Sequence, residues 1–341
     1  MRILVTGSDG YLGSLLTPVL MRSGHDVVGL DTGFYKERML YRSKDPTPAT
    51  LVKDVRDLDA SDLAGFEAIV HMGDLSNDPA GELAPQITYE INHKGSVWLA
   101  ELARKSGVGR FVYMSSCSVY GVAGEDFLTE ESATDPQTSY AICKTLVEQD
   151  LRRLANERFA PTCMRNATAY GASPRMRFDI VLNNLAGLAW TGKGISMTSD
   201  GTPWRPIVHG LDICQAILAV LEAPREAVAN EVFNVGNTNH NYRVREIAQI
   251  VGEVFPGCTV SFGPPSPDNR SYRVSFEKIK KHLPGFECRW DARQGAEQLL
   301  NLFRRVEMTA EVFECRAFTR LKQLQYLMRT GQLDEHFYWT E

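Results

Sequence analysis

Apolar and polar stretches alternate regularly over the first half of the chain. Short apolar runs typical of buried strands occur at Met1–Thr6, Ala68–Met72 and Arg110–Met114. Longer stretches with helical spacing lie between them, among them Leu15–Met21 and Thr88–Ser106. Strict alternation of buried strands and helices predicts an α/β fold with a Rossmann-type, doubly wound parallel sheet.

Further segments extend this alternation. The predicted strands are His25–Asp31, Leu51–Val55 and Pro161–Ala169, the predicted long helix is Tyr140–Phe159, and the predicted loops are Thr32–Thr50 and Glu125–Ser139. On the long helix, Glu148, Asp150, Arg152 and Arg153 are expected to face solvent.

From Ser173 the alternation becomes irregular, and no internal repeat occurs. The expected elements are helices at Phe178–Trp190, Leu211–Glu222, Val244–Val254 and Phe276–Leu283, a mostly helical stretch at Arg293–Leu327, a strand at Glu231–Val235, and loops at Gly192–Pro206 and Pro264–Asn269. We therefore expect a first domain over residues 1–172 and a smaller lobe over residues 173–330, with some segments returning to the sheet. The tail, residues 331–341, carries Phe337, Tyr338 and Trp339, and we expect it to pack on the body or on a partner.

Composition narrows the class of protein. The chain has 341 residues and a net charge of −5, which argues against a dedicated nucleic-acid binder. Its seven cysteines are odd in number and scattered, with no CxxC pair, as in a protein with reduced thiols. No apolar stretch approaches the roughly 18–20 residues of a membrane span, and the first strand leaves no room for a signal peptide. We expect a cytoplasmic protein.

The first chemical signal is the glycine turn Gly7-Ser8-Asp9-Gly10-Tyr11-Leu12-Gly13 between a strand and a helix. Glycines let the turn run tightly and approach a pyrophosphate, whose charge the helix N-terminus stabilises. Asp31 ends the next strand 18 residues after Gly13, where it can accept hydrogen bonds from an adenosine ribose. A carboxylate there would repel a 2′-phosphate, which favours NAD over NADP, although Lys36 and Arg38 lie nearby. The glycine spacing is GxxGxxG and not the commoner GxGxxG.

The second signal is a tyrosine and a lysine spaced i, i+4 on one helix, Tyr140 and Lys144. A nearby cation favours the phenolate, so the pKa of Tyr140 is expected to fall towards working pH and make it a general base or acid. Ser115, Ser116 and Ser118 follow a strand end where such sheets bind ligands, although at least two of them are expected only to form the turn.

Two histidines, His71 and His209, lie at strand ends. No third ligand at metal spacing accompanies them, so we expect structural roles and no metal site.

With these motifs, the chain resembles an extended short-chain dehydrogenase/reductase of the NAD-dependent nucleotide-sugar epimerase/dehydratase family. The resemblance spans Met1 to about Phe286 and rests on GxxGxxG, Asp31, Asp54-Val55, His71-Met72-Gly73, SSCSVYG, YAICK, Arg165…Tyr170-Gly171 and Arg205-Pro206-Ile207-Val208-His209.

The resemblance implies roles for individual residues. The implied catalytic residues are Ser116, Tyr140 and Lys144. The implied cofactor-binding residues are Gly7, Asp9, Gly10, Tyr11, Leu12, Gly13, Asp31, Asp54, Val55, Met72, Gly73, Tyr140 and Lys144. The implied substrate-binding residues are Ser116, Thr168 and Asn184 or its neighbour Asn183, together with Arg205 and Arg270 as clamps for a diphosphate. Ser76 lies in the loop Ser76–Pro79, which is expected either to line the sugar pocket or to form only a turn.

Some positions depart from the family pattern. Dehydratases of the family usually carry Asp-Glu directly after the catalytic residue, where this chain has Cys117 and Ser118. Thr168 replaces a usual Asn, Pro206 follows Arg205 in place of Asp, and Gly210 follows His209 where valine is common. The resemblance therefore favours a nucleotide-diphosphate-sugar epimerase, with 4-epimerisation the best choice. A dehydratase, a keto-sugar reductase or dehydrogenase that turns NAD(H) over, and a non-catalytic NAD(H) sensor are the alternatives.

The resemblance also implies an oligomer. Family members often dimerise through a four-helix bundle, here Thr88–Ser106 and Tyr140–Phe159 from each copy. Trp98 and Leu151 are apolar residues in excess of the one buried face that each helix needs, which is compatible with such a bundle.

Overall fold

A seven-stranded parallel sheet forms the centre of the computed structural model, which describes residues 1–124, 126–265 and 270–340. The strands of the described residues are β1 (Arg2–Thr6), β2 (Asp26–Asp31), β3 (Ala49–Val52), β4 (Ala68–His71), β5 (Arg110–Ser116), β6 (Phe127–Leu128), β7 (Ala160–Asn166), β8 (Thr168–Tyr170), β9 (Gly194–Ser196), β10 (Trp204–His209), β11 (Val232–Val235), β12 (Asn241–Arg243), β13 (Thr259–Ser261) and β14 (Arg273–Val274). The strand order in the large sheet is β11-β7-β5-β4-β1-β2-β3, so the predicted Rossmann-type sheet is confirmed.

Helices cover both faces of this sheet and continue through the second half of the chain. The α-helices are α1 (Gly13–Arg22), α2 (Asp78–Gly81), α3 (Pro85–Thr88), α4 (Ser96–Lys105), α5 (Ser139–Leu154), α6 (Val181–Gly192), α7 (Gly210–Glu222), α8 (Arg225–Val228), α9 (Val244–Val254), α10 (Glu277–His282), α11 (Ala292–Arg305), α12 (Ala310–Glu314) and α13 (Arg320–Arg329). A π-helical stretch, Tyr89–Gly95, joins α3 to α4.

Side chains of successive residues in each strand enter opposite cores. Ile3 and Val5 of β1 lie in the cluster beneath α1 and α7, whereas Leu4 lies in the cluster beneath α4 and α5. Two buried faces explain why these strands read as continuous apolar runs. A third apolar cluster, centred on Phe178 and Phe303, joins α6, α9 and α11.

Several predicted elements differ from the structure. The strand predicted at Leu51–Val55 ends at Val52, because Asp54 accepts a hydrogen bond from the backbone N–H of Arg56 and begins a 3₁₀ turn. The stretch predicted as a loop, Gly192–Pro206, contains β9 and the start of β10, which pair with strands far along the chain. The loop predicted at Pro264–Asn269 lies largely outside the described residues, as does Glu125 at the start of another predicted loop.

On α5 the expected orientation of Glu148 is wrong. Glu148 is buried, because its carboxylate accepts hydrogen bonds from Arg165 and from Ser115 across the edge of the sheet. Leu151, expected to be surplus to the body, is fully buried in the core beneath α4 and α5. Trp98 is 40% exposed, but its indole N–H donates to the carbonyl of Leu58.

The C-terminal tail packs back on the segment that follows β2. Phe337 is completely buried, together with Phe34, Leu324 and Leu327. The indole N–H of Trp339 donates to the carbonyl of Thr32 at 2.7 Å. The tail therefore covers the loop that follows β2.

Candidate active site

The glycine turn lies between β1 and α1 and closes one end of the first pocket. Gly7 has a φ of +71°, a conformation that favours glycine, and its N–H donates to the carbonyl of Leu30 at 2.7 Å. A Cβ at Gly13 would lie 2.2 Å from the carbonyl oxygen of Gly7. The turn is therefore too tight for side chains at these positions, and its backbone can approach a ligand closely.

Asp31 shapes the opposite wall of this pocket. Its carboxylate accepts hydrogen bonds from the backbone N–H groups of Asp9 at 3.0 Å and Gly33 at 2.8 Å. Burial raises the pKa of Asp31 more than these bonds lower it. Each carboxylate oxygen retains a lone pair, so Asp31 can still accept from ribose hydroxyls.

The first pocket collects most of the residues expected to bind the cofactor. It is lined by Gly7, Gly10, Tyr11, Leu12, Gly13, Asp31, Asp54, Val55, Met72 and Gly73. Asp9 does not line it, and contributes only its N–H to Asp31. The carboxylate of Asp54 forms two hydrogen bonds with the guanidinium of Arg56, so that side chain is already engaged.

The segment after β4 separates the first pocket from a second one. The hydroxyl of Thr6 accepts the N–H groups of Met72 and Gly73 at 3.1 and 3.0 Å. Asn92 is fully buried, and its amide accepts from the N–H of Leu75 and donates to the Leu75 carbonyl. These bonds hold the segment rigidly where both pockets meet.

The structure brings Ser116, Tyr140 and Lys144 together in the second pocket. Ser116 ends β5, and Tyr140 and Lys144 lie in the first turns of α5. The hydroxyl of Thr138 accepts the N–H of Ala141 and caps this helix. The second pocket is continuous with the first, because both are lined by Leu12, Met72, Asp74, Ser76, Ala169 and Arg177.

Lys144 is held by groups that the sequence reading did not identify. Its buried ammonium donates to the carboxylate of Asp74 and to the carbonyl of Met114. Burial by itself would lower the pKa of Lys144, but the Asp74 carboxylate outweighs it and the pKa is raised. Lys144 is therefore a fixed cation, with its Nζ 5.4 Å from the centre of the Tyr140 ring.

The expected lowering of the Tyr140 pKa is wrong for this structure. Burial raises the pKa of Tyr140 more than Lys144 and a hydrogen bond with Ser116 lower it, and the Asp74 carboxylate raises it further. The spacing of residues along the helix reveals that Lys144 is near Tyr140. It does not reveal that Tyr140 is buried or that the Asp74 carboxylate is close, and so the expectation failed.

Ser115, Ser116 and Ser118 all line the second pocket, but the hydroxyl of Ser115 has a structural partner. Ser115 donates to Glu148 at 2.5 Å, and Glu148 forms a buried ion pair with Arg165 at 2.6 Å. Cys117 is 1% exposed, and its thiol donates to the carbonyl of Arg165 at 3.2 Å. Burial raises the pKa of this thiol well above its usual value, so Cys117 stays protonated and away from the pocket.

The expected substrate residues divide into two groups. Ser76, Thr168, Arg205 and Arg270 line the second pocket, and Arg270 forms an ion pair with Asp78 at 2.6 Å. Asn183 and Asn184 do not line it.

The expectation for both asparagines needs correction. Asn183 is fully buried, and its amide bonds the backbone of Gly171 and Arg177. The side chain of Asn184 donates to the carbonyl of Phe178 at 2.9 Å. Both side chains therefore stabilise the backbone of the loop before α6.

Sequence reasoning missed two further groups of pocket residues. Asp74 and Arg177 lie where the pockets meet, and Arg320 lines the first pocket from α13. Asp74 directly follows the recognised Met72-Gly73 segment, so its position could have been noticed. Arg320 had no such signal, because about 290 residues separate it from the strand end Asp31 that it faces.

The two histidines at strand ends have structural partners. His71 is hydrogen-bonded to Thr6 and Ser96, and His209 accepts from the N–H of Leu211 and stacks on Trp290. Burial lowers the pKa of each to about 4. Across the described ranges, no group of three or more His, Cys, Asp or Glu side chains is arranged to hold a metal ion, and no helix there is long and apolar enough to cross a membrane.

Comparison with known proteins places this geometry in context. The curated UDP-glucose 4-epimerase of Bacillus subtilis (strain 168) is 27% identical over 325 residues, which cover 88% of this chain and 94% of that protein. A dTDP-glucose 4,6-dehydratase of Streptomyces niveus is 28% identical over 323 residues, covering 89% and 93%. The solved structure of MoeE5 in complex with UDP-glucose and NAD has a TM-score of 0.78 at 24% identity, and the match covers 90% of this chain and all of that one.

The sequence model of the NAD-dependent epimerase/dehydratase family matches residues 3–236, about two-thirds of the chain. Two features of the first pocket fit NAD, the cofactor of this family: the tight glycine turn, which a Cβ would block, and the acceptor Asp31. The adjoining pocket holds Ser116, Tyr140 and Lys144. The chain belongs to the NAD-dependent epimerase/dehydratase family, an enzyme family that includes UDP-glucose 4-epimerases and sugar-nucleotide dehydratases.

Proposed function

We propose that the protein is an NAD-dependent 4-epimerase of nucleotide-diphosphate sugars. The observation that carries the proposal is that Ser116, Tyr140 and Lys144 line one pocket that is continuous with the pocket at the glycine turn. A sugar hydroxyl held by these residues therefore lies beside the dinucleotide. UDP-glucose 4-epimerases among the relatives support the same activity.

The cofactor has a defined place in this proposal. Gly7, Gly10 and Gly13 would lie against its pyrophosphate and Asp31 against its adenosine ribose, while Lys144 would reach the nicotinamide ribose. When bound, NAD supplies the hydride acceptor and donor for the reaction.

Tyr140 is the acid/base of the proposed reaction. Its phenol oxygen takes the proton of the sugar 4-hydroxyl as the C4–H bond breaks, and it returns the proton when that bond forms again on the other face of the keto-sugar. Burial raises the pKa of Tyr140, so its phenolate is a stronger base in the first step and its phenol a weaker acid in the return step. Its phenolate depends on the fixed Lys144 cation for stabilisation.

Ser116 and the pocket wall orient the sugar. Ser116 lies beside Tyr140 and can donate a hydrogen bond to the oxygen that Tyr140 deprotonates, because the hydroxyls of both residues share the same pocket. Arg205 and Arg270 lie on the far wall, where guanidinium groups suit the diphosphate of the substrate. Thr168 and Ser76 remain proposed contacts for the sugar.

The environment of Cys117 favours epimerisation over elimination of water. Elimination needs a second acid/base beside the catalytic serine, and Cys117 points to the Arg165 carbonyl with a raised thiol pKa. The hydroxyl of Ser118 is not an acid or base at neutral pH. A dehydratase would therefore have to take this group from elsewhere in the pocket.

A panel of nucleotide sugars tests the proposal. The purified protein is incubated with each sugar in ²H₂O, and product stereochemistry, product mass and nicotinamide absorbance are followed. We expect a new C4 stereoisomer of unchanged mass with no deuterium, because the hydride removed from C4 returns to it.

Other outcomes identify the alternatives. Loss of water indicates a dehydratase, a stoichiometric change in NADH indicates a reductase or dehydrogenase, and no turnover with any sugar indicates an NAD(H) sensor. Each of these results would contradict 4-epimerisation.

We also propose a homodimer through α4, α5 and the π-helical stretch between α3 and α4. Trp98 is 40% exposed, and Ile142 and Leu146 are partly exposed on α5, so this helix pair presents apolar surface. Light scattering tests it: the Leu146→Glu variant should be monomeric if the bundle forms, and a monomeric wild type would contradict the proposal.

A further inference from the structure

Arg177 and Arg320 are two buried arginines on the wall of the first pocket. Arg177 is 7% exposed and Arg320 is 5% exposed. Burying a cation is costly unless a counter-charge and hydrogen bonds compensate it. The partners of these two groups therefore indicate what the pocket is built to hold.

The protein supplies only part of that compensation. The guanidinium of Arg177 donates to the carboxylate of Asp179 at 2.8 Å and to the hydroxyl of Ser76 at 3.3 Å. Arg320 reaches Asp179 through its backbone N–H at 2.9 Å, and its guanidinium stacks on the ring of Tyr35 at 3.8 Å. Nη2 of Arg177 and Nε of Arg320 have no hydrogen-bond partner in the part of the chain that the structure describes.

The position of Arg320 points to the glycine turn. A Cβ added at Gly10 would lie 3.9 Å from Nη2 of Arg320. Arg320 lines the first pocket and not the second, whereas Arg177 lines both. An anion attracted by both guanidinium groups would therefore lie on the dinucleotide side, against the turn.

The segment that carries Arg320 is anchored around the same pocket. We call residues 316–339 the C-terminal strap. Arg316 forms an ion pair with Glu37 at 2.8 Å, the amide of Gln323 donates to the carbonyl of Phe34, and Tyr338 lies under the guanidinium of Arg56 at 3.9 Å. The strap thus holds the loop after β2, which supplies Thr32, Phe34 and Tyr35 to the pocket wall.

We propose that Arg177 and Arg320 form a two-arginine seat for the pyrophosphate of the bound dinucleotide, and that the C-terminal strap holds this seat against the glycine turn. Of these two guanidinium groups, only that of Arg177 is hydrogen-bonded to a carboxylate among the described residues, both arginines keep an N–H without a partner there, and planar donors suit phosphate oxygens. Arg320 lies outside residues 3–236, which the family model matches. The proposal depends on dinucleotide binding and not on which sugar reaction the site performs.

Binding of nucleotide fragments tests the seat without any turnover. ADP-ribose, which has the pyrophosphate, and adenosine, which lacks it, are titrated calorimetrically into nucleotide-free, full-length protein. In Arg320→Gln we expect the affinity for ADP-ribose to fall roughly tenfold or more, and the affinity for adenosine to stay unchanged. The amount of NAD that copurifies with the variant should also fall.

Arg329→Gln is the matched control, because Arg329 is exposed on the same helix, α13. It should bind both fragments as the wild type does. If Arg320→Gln does not fold, Arg320→Lys decides: it keeps the charge but not the planar donors, and a selective, severalfold loss of ADP-ribose affinity supports the seat.

Three results would overturn the proposal. Wild-type affinity for ADP-ribose in the folded variants would show that Arg320 does not reach the pyrophosphate. An equal loss for adenosine and ADP-ribose would show that Arg320 only supports the strap. With 2′-phosphorylated ADP-ribose as a third titrant, a loss confined to that ligand would assign the arginines to a ribose phosphate.

Discussion

The two adjoining pockets are assembled in different ways. Most of the wall of the first pocket, the proposed dinucleotide pocket, comes from strand ends that follow one another in the first quarter of the chain, at residues 6–13, 30–35, 54–55 and 72–76. The second pocket is the proposed catalytic pocket. The wall of the catalytic pocket draws on positions from Leu12 to Tyr272. The first depends mainly on local turns, and the second depends on how segments far apart in the sequence pack together.

The two pockets also differ in how far the protein itself compensates their cationic side chains. In the catalytic pocket Lys144 is compensated by the protein itself, through Asp74. In the dinucleotide pocket Arg177 and Arg320 retain N–H groups without a described partner. We infer that Lys144 is fixed in place to tune Tyr140, whereas Arg177 and Arg320 keep N–H groups for a ligand. Substitutions in the two pockets should therefore have separable effects.

The largest expected effect separates chemistry from cofactor binding. Tyr140→Phe removes the proposed acid/base and should lower kcat about a thousandfold, with NAD content unchanged, because Tyr140 is a minor part of the dinucleotide contacts. Rates with a nucleotide sugar and the nucleotide released on denaturation measure the two quantities. Tyr113→Phe is the control, since the Tyr113 hydroxyl is buried without a described partner outside both pockets. Full turnover by Tyr140→Phe would refute the assignment.

The reverse separation comes from Gly13→Ala. The new Cβ would lie 2.2 Å from the Gly7 carbonyl oxygen and 2.5 Å from that of Ser8, so the turn must open. We expect NAD affinity to fall on the order of a hundredfold, given that strain of a few kcal/mol accompanies such overpacking. Calorimetry with NAD measures it. Gly192→Ala, where no atom lies within 4 Å of the added Cβ, should bind normally, and normal binding by Gly13→Ala would contradict the close approach.

A smaller effect is expected at the substrate end of the catalytic pocket. Arg205→Gln should raise KM for the nucleotide sugar roughly tenfold, because a cationic donor to the diphosphate is lost. Neither NAD content nor kcat at saturation should change. Arg293→Gln, which alters an exposed arginine paired with Glu253, is the control. A change in kcat alone would move Arg205 from binding to chemistry.

The smallest expected effect is a shift of the pH profile. After burial, the Asp74 carboxylate contributes to the raised pKa of Tyr140. Because the reaction needs deprotonated Tyr140, the rate rises as pH passes through its pKa, and Asp74→Asn should move this rise to lower pH. The control is Asp150→Asn. Asp150 lies on the same helix as Tyr140, α5, but its carboxylate is not among the groups that shift the pKa of Tyr140. An unmoved profile in Asp74→Asn would exclude the coupling.

Local patterns anticipated much of the cofactor site and little of its surroundings. The turn from Gly7 to Gly13 and the acceptor Asp31 were readable because a β-strand, a tight turn and a helix are short-range structures. Val244–Val254 was predicted with the bounds that α9 has, since its apolar period is strong. Glu148 was misjudged because it lies on helix α5 and its partner, Arg165, lies on strand β7 of the sheet.

The amino-acid sequence alone predicted the parallel sheet, the glycine turn and NAD as the cofactor, because strand and helix periods and short motifs are local properties. The grouping of Ser116 with Tyr140 and Lys144 came from the resemblance to the family. Only the tertiary structure decided that Asn183 supports a loop, that Asp74 neutralises Lys144, and that Arg320 reaches the pocket from α13. These features depend on contacts between residues about 12 to 290 positions apart. The burial of such side chains and the charges around them are fixed only when these distant segments pack together.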